Sequence, residues 1–469
     1  MPRRTANRLS RTDDARQHPR GQILLSLRDS DFLAVAAYTI MLAVFGGGLV
    51  TWSAGYALLT VCTIAFAVLF VWRDGLRTVS KMALPGRVAL VGIAVLPLLQ
   101  LIPLPPAMWQ ALPGQELRLA TLTQAGLAAT WQPLSLEPFS TALIAILAIG
   151  FVTLVASLLR LSDSAFRAIL QVVVAVVILG IAVGLLQVVS GGQPNLQVTN
   201  MGNTMLGFFA NKNHMAIALA CSILIFGMVV SKDLFARRQR RVVTLGYTGF
   251  MLICIVTTNS RAGLALGALA AAIVLADLAR GVALRWRMLG IGALVLLLGA
   301  LLSTSAFVLV SNRVGDVSKD LRWQIATWSW PLAKQYGVLG SGLGSFTTLF
   351  AAHEELTWVK PTIVNAAHND YLQLLIETGL TGVVLLVLLA VAVGRAAWLC
   401  WVTPRTGARS VEMVMGLSII MLFALHSGFD YPLRRPAAWI FFAIAVATAF
   451  RAASVANPVG VASHPVYAS

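Results

Sequence analysis

Residues 138–190 read PFSTALIAILAIGFVTLVASLLRLSDSAFRAILQVVVAVVILGIAVGLLQVVS. Two apolar runs, at about 138–159 and 165–190, are joined by a short stretch whose charges are Arg160, Asp163 and Arg167. A helix that crosses a bilayer needs about 20 mostly apolar residues, and each run is long enough. The same reading, carried outward, gives about twelve such runs: 32–50, 54–72, 88–104, 138–159, 165–190, 207–231, 242–258, 262–279, 288–310, 371–401, 411–429 and 436–453. Pro97 lies inside the third, which a membrane helix tolerates. The pattern predicts an all-α polytopic membrane protein with about twelve transmembrane helices.

Composition agrees. The chain has 469 residues, is 58% hydrophobic and only 11% charged, with mean hydropathy +0.81. A soluble domain is about 25% charged, so this chain cannot cover a soluble surface, and its apolar content excludes disorder. Its net charge of +17 would ordinarily point to nucleic acid, but no soluble basic domain carries the charge, and no nucleic-acid partner is expected. In membrane proteins a basic excess marks the cytoplasmic loops. With the N-terminus placed inside, the inside segments hold 25 Lys and Arg against 9 acids, and the outside segments 10 against 9. Both termini are therefore expected in the cytoplasm: a basic tail at 1–31, a membrane domain at 32–453 and a second tail at 454–469. The first tail runs directly into a full-length span, so no removable signal peptide is read.

Two outside segments exceed simple turns, about 105–137 and about 311–370, the second lying between spans nine and ten. Loops of that length are usually functional. The second carries Arg322, Trp323, Trp328, Trp330 and Tyr336, then Gly340, Gly342 and Gly344. Its tryptophans read as an interfacial aromatic belt or as sugar-stacking surfaces. The glycine series has no preceding strand and no P-loop lysine, so a tight return turn is expected in place of a nucleotide cradle. Asp29-Ser30-Asp31 has the spacing of a D-x-D metal pair, but it starts the first span on the side opposite the long loops, and a helix cap accounts for it better. Cys62, Cys221, Cys254 and Cys400 fall within spans without metal-like spacing. No metal site and no cofactor is expected.

Ionisable groups at spans are costly and tend to be functional. Five segments bring them to one depth at the outer face. Asn211-Lys212-Asn213-His214 opens span six, and Arg261 follows Asn259-Ser260 at the turn before span eight. Arg322 lies in the large loop. His368-Asn369-Asp370 leads into span ten, two turns ahead of Glu377, and His426 and Asp430 close span eleven ahead of Arg434 and Arg435. Arginine forks suit phosphate oxygens, and histidine takes a proton near neutral pH. An outward site of this kind fits transfer from a lipid-linked diphosphate donor, because guanidinium groups stabilise the leaving diphosphate. A transporter or flippase of lipid-linked sugars, or a non-catalytic glycan-binding protein, stays open on these residues, although no repeated half with matching broken helices is seen.

The chain resembles the bacterial O-antigen ligase and O-antigen polymerase superfamily. The signature H-[N/S/Q]-x9-G-x-x-G is met by His368-Asn369, nine residues, Gly379 and Gly382. Phe209-x-Asn211-x-Asn213-His214, Asn259-Ser260-Arg261-x-Gly263, and Arg322 with Trp328 ahead of Gly340-x-Gly342-x-Gly344 support it. The resemblance is good over about 200–385 and looser at Gln100–Pro105 and His426–Arg434. It implies a GT-C-like fold with a large periplasmic loop between helices nine and ten, placed in the bacterial inner membrane. It also implies an undecaprenyl-diphosphate-linked oligosaccharide donor, metal-independent transfer at the periplasmic face, and chain-length regulator or flippase proteins as partners. By position, His368 would be the general base and Arg261 and Arg322 would hold the diphosphate. Asn211, Asn213, His214, Asn369 and Asp370 would shape the pocket, with His426, Asp430, Arg434 and Arg435 tied to only part of the family. The acceptor would be another lipid-linked glycan in a polymerase or lipid A–core in a ligase; the Pro-Leu-Pro and His426–Arg434 stretches lean toward the polymerase.

Overall fold

The long apolar runs have nowhere to satisfy their peptide groups except within themselves, so they coil. A computed structural model describes residues 29–48, 54–194 apart from 74, 204–280, 321–402 apart from 356, 358 and 360–362, and 408–454. Among these residues lie α1 (Ser30–Phe45), α2 (Ala54–Trp72), α3 (Leu84–Gln100), α4 (Pro138–Arg160), α5 (Asp163–Val189) and α6 (Lys212–Leu234). The chain continues through α7 (Arg237–Thr257), α8 (Arg261–Leu278), α9 (Leu321–Tyr336), α10 (Phe346–His353), α11 (Asp370–Val402), α12 (Ala408–Ser427) and α13 (Pro436–Ser454). Eight of the described helices are long and apolar enough to cross a membrane, and α1, α3 and α13 are shorter apolar helices. The protein is an all-α polytopic membrane protein. Eleven of the twelve predicted runs coincide with helices; the ninth, 288–310, lies outside the described residues, as do residues 1–28 of the expected tail at 1–31 and residues 455–469 of that at 454–469.

Boundaries move where polar or glycine residues take over. Span six was expected from 207, but Asn211 caps α6 by accepting the Asn213 amide at 2.9 Å. Gly207–Ala210 forms a turn whose Ala210 amide reaches the Gly47 carbonyl. Span three ends at Gln100, and Pro103–Leu104 then pairs antiparallel with Gln132–Pro133, the two strands seen among the described residues.

The spanning window of α6 is 100% buried inside the protein, whereas that of α2 is 22% buried. α6 is thus the axis, packed by α5, α7, α8, α12 and α13, while α2 turns Val61 and Val68 outward, as a lipid-facing perimeter requires. One π turn, Phe226–Val230, interrupts α6, with Phe226 stacked on Tyr247 at 3.9 Å. All four cysteines are free thiols in helices.

The two ends of the bundle differ. At one end Asp29 caps α1, and Asp31 pairs with Arg73 at 2.7 Å and Arg160 at 3.3 Å. The D-x-D pair is therefore spent on a cap and on tying α1 to α4. Arg167 of α5 pairs with Asp233 at 2.8 Å and Glu412 at 3.0 Å, tying α5, α6 and α12. Arg167→Met leaves two part-buried carboxylates without their cation. It should destabilise by about 1–3 kcal/mol, between exposed and buried pair values, read as a lower Tm in detergent. An unchanged Tm would show that the network adds nothing to the bundle.

Candidate active site

At the other end the helices meet around one carboxylate. Asp430, in the loop between α12 and α13, has 0% side-chain exposure. His368 Nδ1 stands 3.5 Å from its Oδ1, and His214 Nε2 3.8 Å from the same oxygen. His426 Nε2 is 3.8 Å and Arg322 Nη2 3.9 Å from Oδ2. The Asn213 amide donates to Oδ2, the Asn211 amide lies 3.5 Å from both oxygens, and the Tyr431 N–H donates to Oδ1 at 3.0 Å. Burial pushes the Asp430 carboxyl up, but the adjoining His368 side chain and the charges of His214, Arg322 and His426 outweigh it and hold the group well below the ordinary carboxylate range. Asp430 is ionised.

Local sequence explains the convergence. Ser260 caps α8, accepting the Gly263 amide at 2.9 Å and donating to Asn213 Oδ1 at 2.6 Å. Gly263 allows this, since a Cβ there would stand 2.2 Å from the Ala216 Cβ. The Asn-Ser-Arg-x-Gly turn is therefore a docking device between α8 and α6. His368 sits in the left-handed region at φ 51°, an uncommon setting for a side-chain-bearing residue that the surroundings must enforce. The next residue, Asn369, accepts the Leu372 amide at 3.0 Å at the start of α11 and donates to the Gly428 carbonyl at 3.3 Å.

A second polar cluster lies along α11. Glu377, fully buried, accepts from Arg434 and from Gln373 at 3.0 Å. Asp370 accepts from Ser427 at 2.9 Å and the Leu433 amide at 3.1 Å, with Arg434 Nε 3.7 Å away. The glycine series packs here backbone to backbone. Gly342 N–H donates to the Glu377 carbonyl at 3.0 Å, and Gln100 donates to the same carbonyl at 2.8 Å. Gly379, at φ 61°, breaks α11 where a Cβ would stand 2.4 Å from the Val338 carbonyl. The second glycine pattern is thus a packing feature. Beside the cluster an apolar cavity of about 240 Å³ opens between Ile93, Leu147, Phe151, Leu385 and Trp439, with Asp370 and Arg434 at its polar end.

Of the site residues expected from sequence, His368, Arg322, Asn211, Asn213, His214 and His426 gather on Asp430. Asp370 and Arg434 belong to the second cluster. Arg435 donates to the Gly48 carbonyl at 2.7 Å and lies over the Tyr431 ring at 5.3 Å. Arg261 is exposed at the first turn of α8, beside Ser260. Of the loop tryptophans, Trp323 and Trp330 are exposed and Trp328 packs toward Phe350. Sequence reasoning missed Ser260, Gln373, Ser427 and Tyr431; the Ser260, Ser427 and Tyr431 positions stood inside the family stretches, with no local signal of what they touch.

Residues 246–387 match the family described as O-Antigen ligase. That segment is similar to an O-antigen ligase domain. The match supports a place in the O-antigen ligase and polymerase superfamily, whose members are glycosyltransferase-like. The matched segment includes Arg261, Arg322, His368 and Glu377 but stops short of Asp430 and begins after Asn211–His214, so the hub of the site and one wall come from outside it. No curated protein matches the chain.

Asp430→Asn keeps the shape and removes the charge. Glycan transfer should fall by about 10²-fold or more, the scale of a disabled acid–base pair. Because the Asp430 pKa is depressed, the stability it contributes is full above the unfolded carboxyl value of about 3.9 and is lost only as the pH falls below that toward the folded value. The difference in thermal stability between wild type and Asp430→Asn should therefore stay level from about pH 5 to 8 and shrink in stronger acid. A difference that changes across the neutral range would exclude this assignment.

Proposed function

We propose that the protein transfers glycan from an undecaprenyl-diphosphate-linked donor to a glycan acceptor at the periplasmic face of the inner membrane, as a surface-polysaccharide, exopolysaccharide or O-antigen polymerase. The observation that carries this reading is His368 placed 3.5 Å from the buried Asp430 with Arg322 beside the same carboxylate. Asp430 faces His368 Nδ1 and so favours the tautomer that leaves Nε2 as an acceptor. Nε2 takes the proton of the acceptor hydroxyl as its oxygen attacks the anomeric carbon. The bond from that carbon to the diphosphate breaks, and Arg322 with Arg261 receives the negative charge. This division of labour asks for no divalent cation. The periplasmic orientation rests on the Lys and Arg asymmetry between the two ends. The domain organisation read from sequence, with a core at about 200–385, is part of the same proposal.

A second reading, ligation of the glycan to lipid A–core, draws on the description of the matched family. The two separate in one experiment. The purified protein is reconstituted with an undecaprenyl-diphosphate-linked oligosaccharide and offered either more of the same or lipid A–core, with divalent metal chelated. A ladder of longer glycans and release of undecaprenyl diphosphate supports polymerisation; a single addition to lipid A–core supports ligation. No product with either acceptor from folded protein overturns the enzymatic reading in favour of transport or binding.

In that assay His368→Ala should abolish transfer with normal membrane insertion. Arg261→Lys and Arg322→Lys keep the charge and lose the fork, so each should reduce the rate by about tenfold or more. Wild-type rates in both lysine variants would remove the diphosphate role from these arginines.

A further inference from the structure

A base of this kind needs more than a carboxylate behind it. His368 Nδ1 is 3.5 Å from Asp430, a separation longer than a normal hydrogen bond and one that leaves the ring plane loosely defined. His368 is also part-exposed, with 22% of its side chain accessible. Something else must stop the imidazole from swinging away.

The ring that does so is Tyr431. Its centroid lies 5.0 Å from that of His368 with the planes at 71°, and 4.9 Å from that of His214 at 87°. It is a wedge between two histidines that face the same carboxylate oxygen. The wedge is itself fixed on three sides. The Tyr431 amide donates to Asp430 Oδ1 at 3.0 Å. The Arg435 guanidinium covers the ring at 5.3 Å and is anchored on the Gly48 carbonyl at 2.7 Å. The carbonyl of Tyr431 accepts the Arg434 amide at 3.1 Å, and the residue is 3% exposed. Aromatic contacts of this edge geometry are directional, so they define an angle that an aliphatic side chain would leave open.

Resting on the transfer reading above, we propose that Tyr431 is a positioning residue that sets the His368 ring against Asp430, and that Arg435 serves this ring and not the substrate. Neither touches the reacting atoms. Tyr431 acts through His368, and Arg435 acts through Tyr431.

The test uses the full chain reconstituted with undecaprenyl-diphosphate-linked oligosaccharide, following release of undecaprenyl diphosphate. His368→Ala serves as the reference for the reading itself. Tyr431→Leu should lower kcat by about 10²-fold, the scale of an ångström misplacement, with KM for the donor little changed. Tyr431→Phe, which keeps the ring, should recover most of that loss. Arg435→Met should lower kcat in the same direction by a smaller factor, and it keeps the inference testable where Tyr431→Leu fails to fold. A purely structural Tyr431 would reduce the folded amount and leave kcat per folded molecule unchanged. Wild-type kcat in folded Tyr431→Leu or Arg435→Met, with His368→Ala inactive, overturns the positioning role alone. Loss in Tyr431→Phe equal to that in Tyr431→Leu overturns it in favour of the hydroxyl. Full activity of His368→Ala removes the reading on which it rests, and the positioning role with it.

Discussion

An ionised carboxylate shut away from water must be compensated on every side, because leaving it uncompensated costs several kcal/mol. Asp430 is that group. Its partners arrive from α6, from the start of α11, from the end of α12 and from α9, so its compensation is also a condition on how those elements meet. The axis helix α6 supplies Asn211, Asn213 and His214 from one turn, and the Ser260 cap of α8 fixes Asn213 in turn. None of these groups satisfies the carboxylate alone. The histidine and arginine contacts fall at 3.5–3.9 Å, and the hydrogen bonds that meet it come from Asn213 and the Tyr431 amide. Losing any one element loosens the rest.

The two polar clusters share the segment from His426 to Arg435 but differ in local charge. Around Asp430 one carboxylate faces Arg322 and three imidazoles. Around Arg434 one guanidinium faces two carboxylates, Glu377 and Asp370. An anion is better received at the first than at the second. This separates two roles that the sequence ran together, since Asp370 and Arg434 stood among the pocket residues by motif. Their carboxylate and guanidinium groups are occupied in tying α11 to the chain ahead of α13, next to an apolar cavity.

Span positions were readable because apolar length is a one-dimensional property. The joint placement of His368, Arg322, Asn211, Asn213 and His214 was readable only as several segments reaching one depth. What was not readable is which atoms meet, because Asp430 receives groups from more than 200 residues away in sequence, as the Asn211 and Asn213 contacts do. Tyr431 shows the limit well. It stands in a motif, yet nothing local distinguishes a tyrosine that packs in a core from one that wedges two histidines. Gly263 and Gly379 are legible in retrospect, since their spacing records where two backbones approach too closely for a Cβ.

The charge of +17 bears on the same site. With the orientation proposed above, the inside segments carry a net +16 and the outside segments a net +1. On the proposed transfer reading, the outer end therefore has little general field with which to draw an anionic donor. Recognition there has to come from placement: guanidinium forks set by α8 and α9, and imidazoles held by one buried carboxylate. Placement of that kind is made in advance by folding, and the left-handed backbone of His368 is where its conformational cost is visible. Groups already aimed need no reorganisation when charge develops. On the transfer reading proposed above, an outer end with almost no net charge acts on a diphosphate for that reason, and for the same reason it should depend steeply on the few contacts that hold its rings in place.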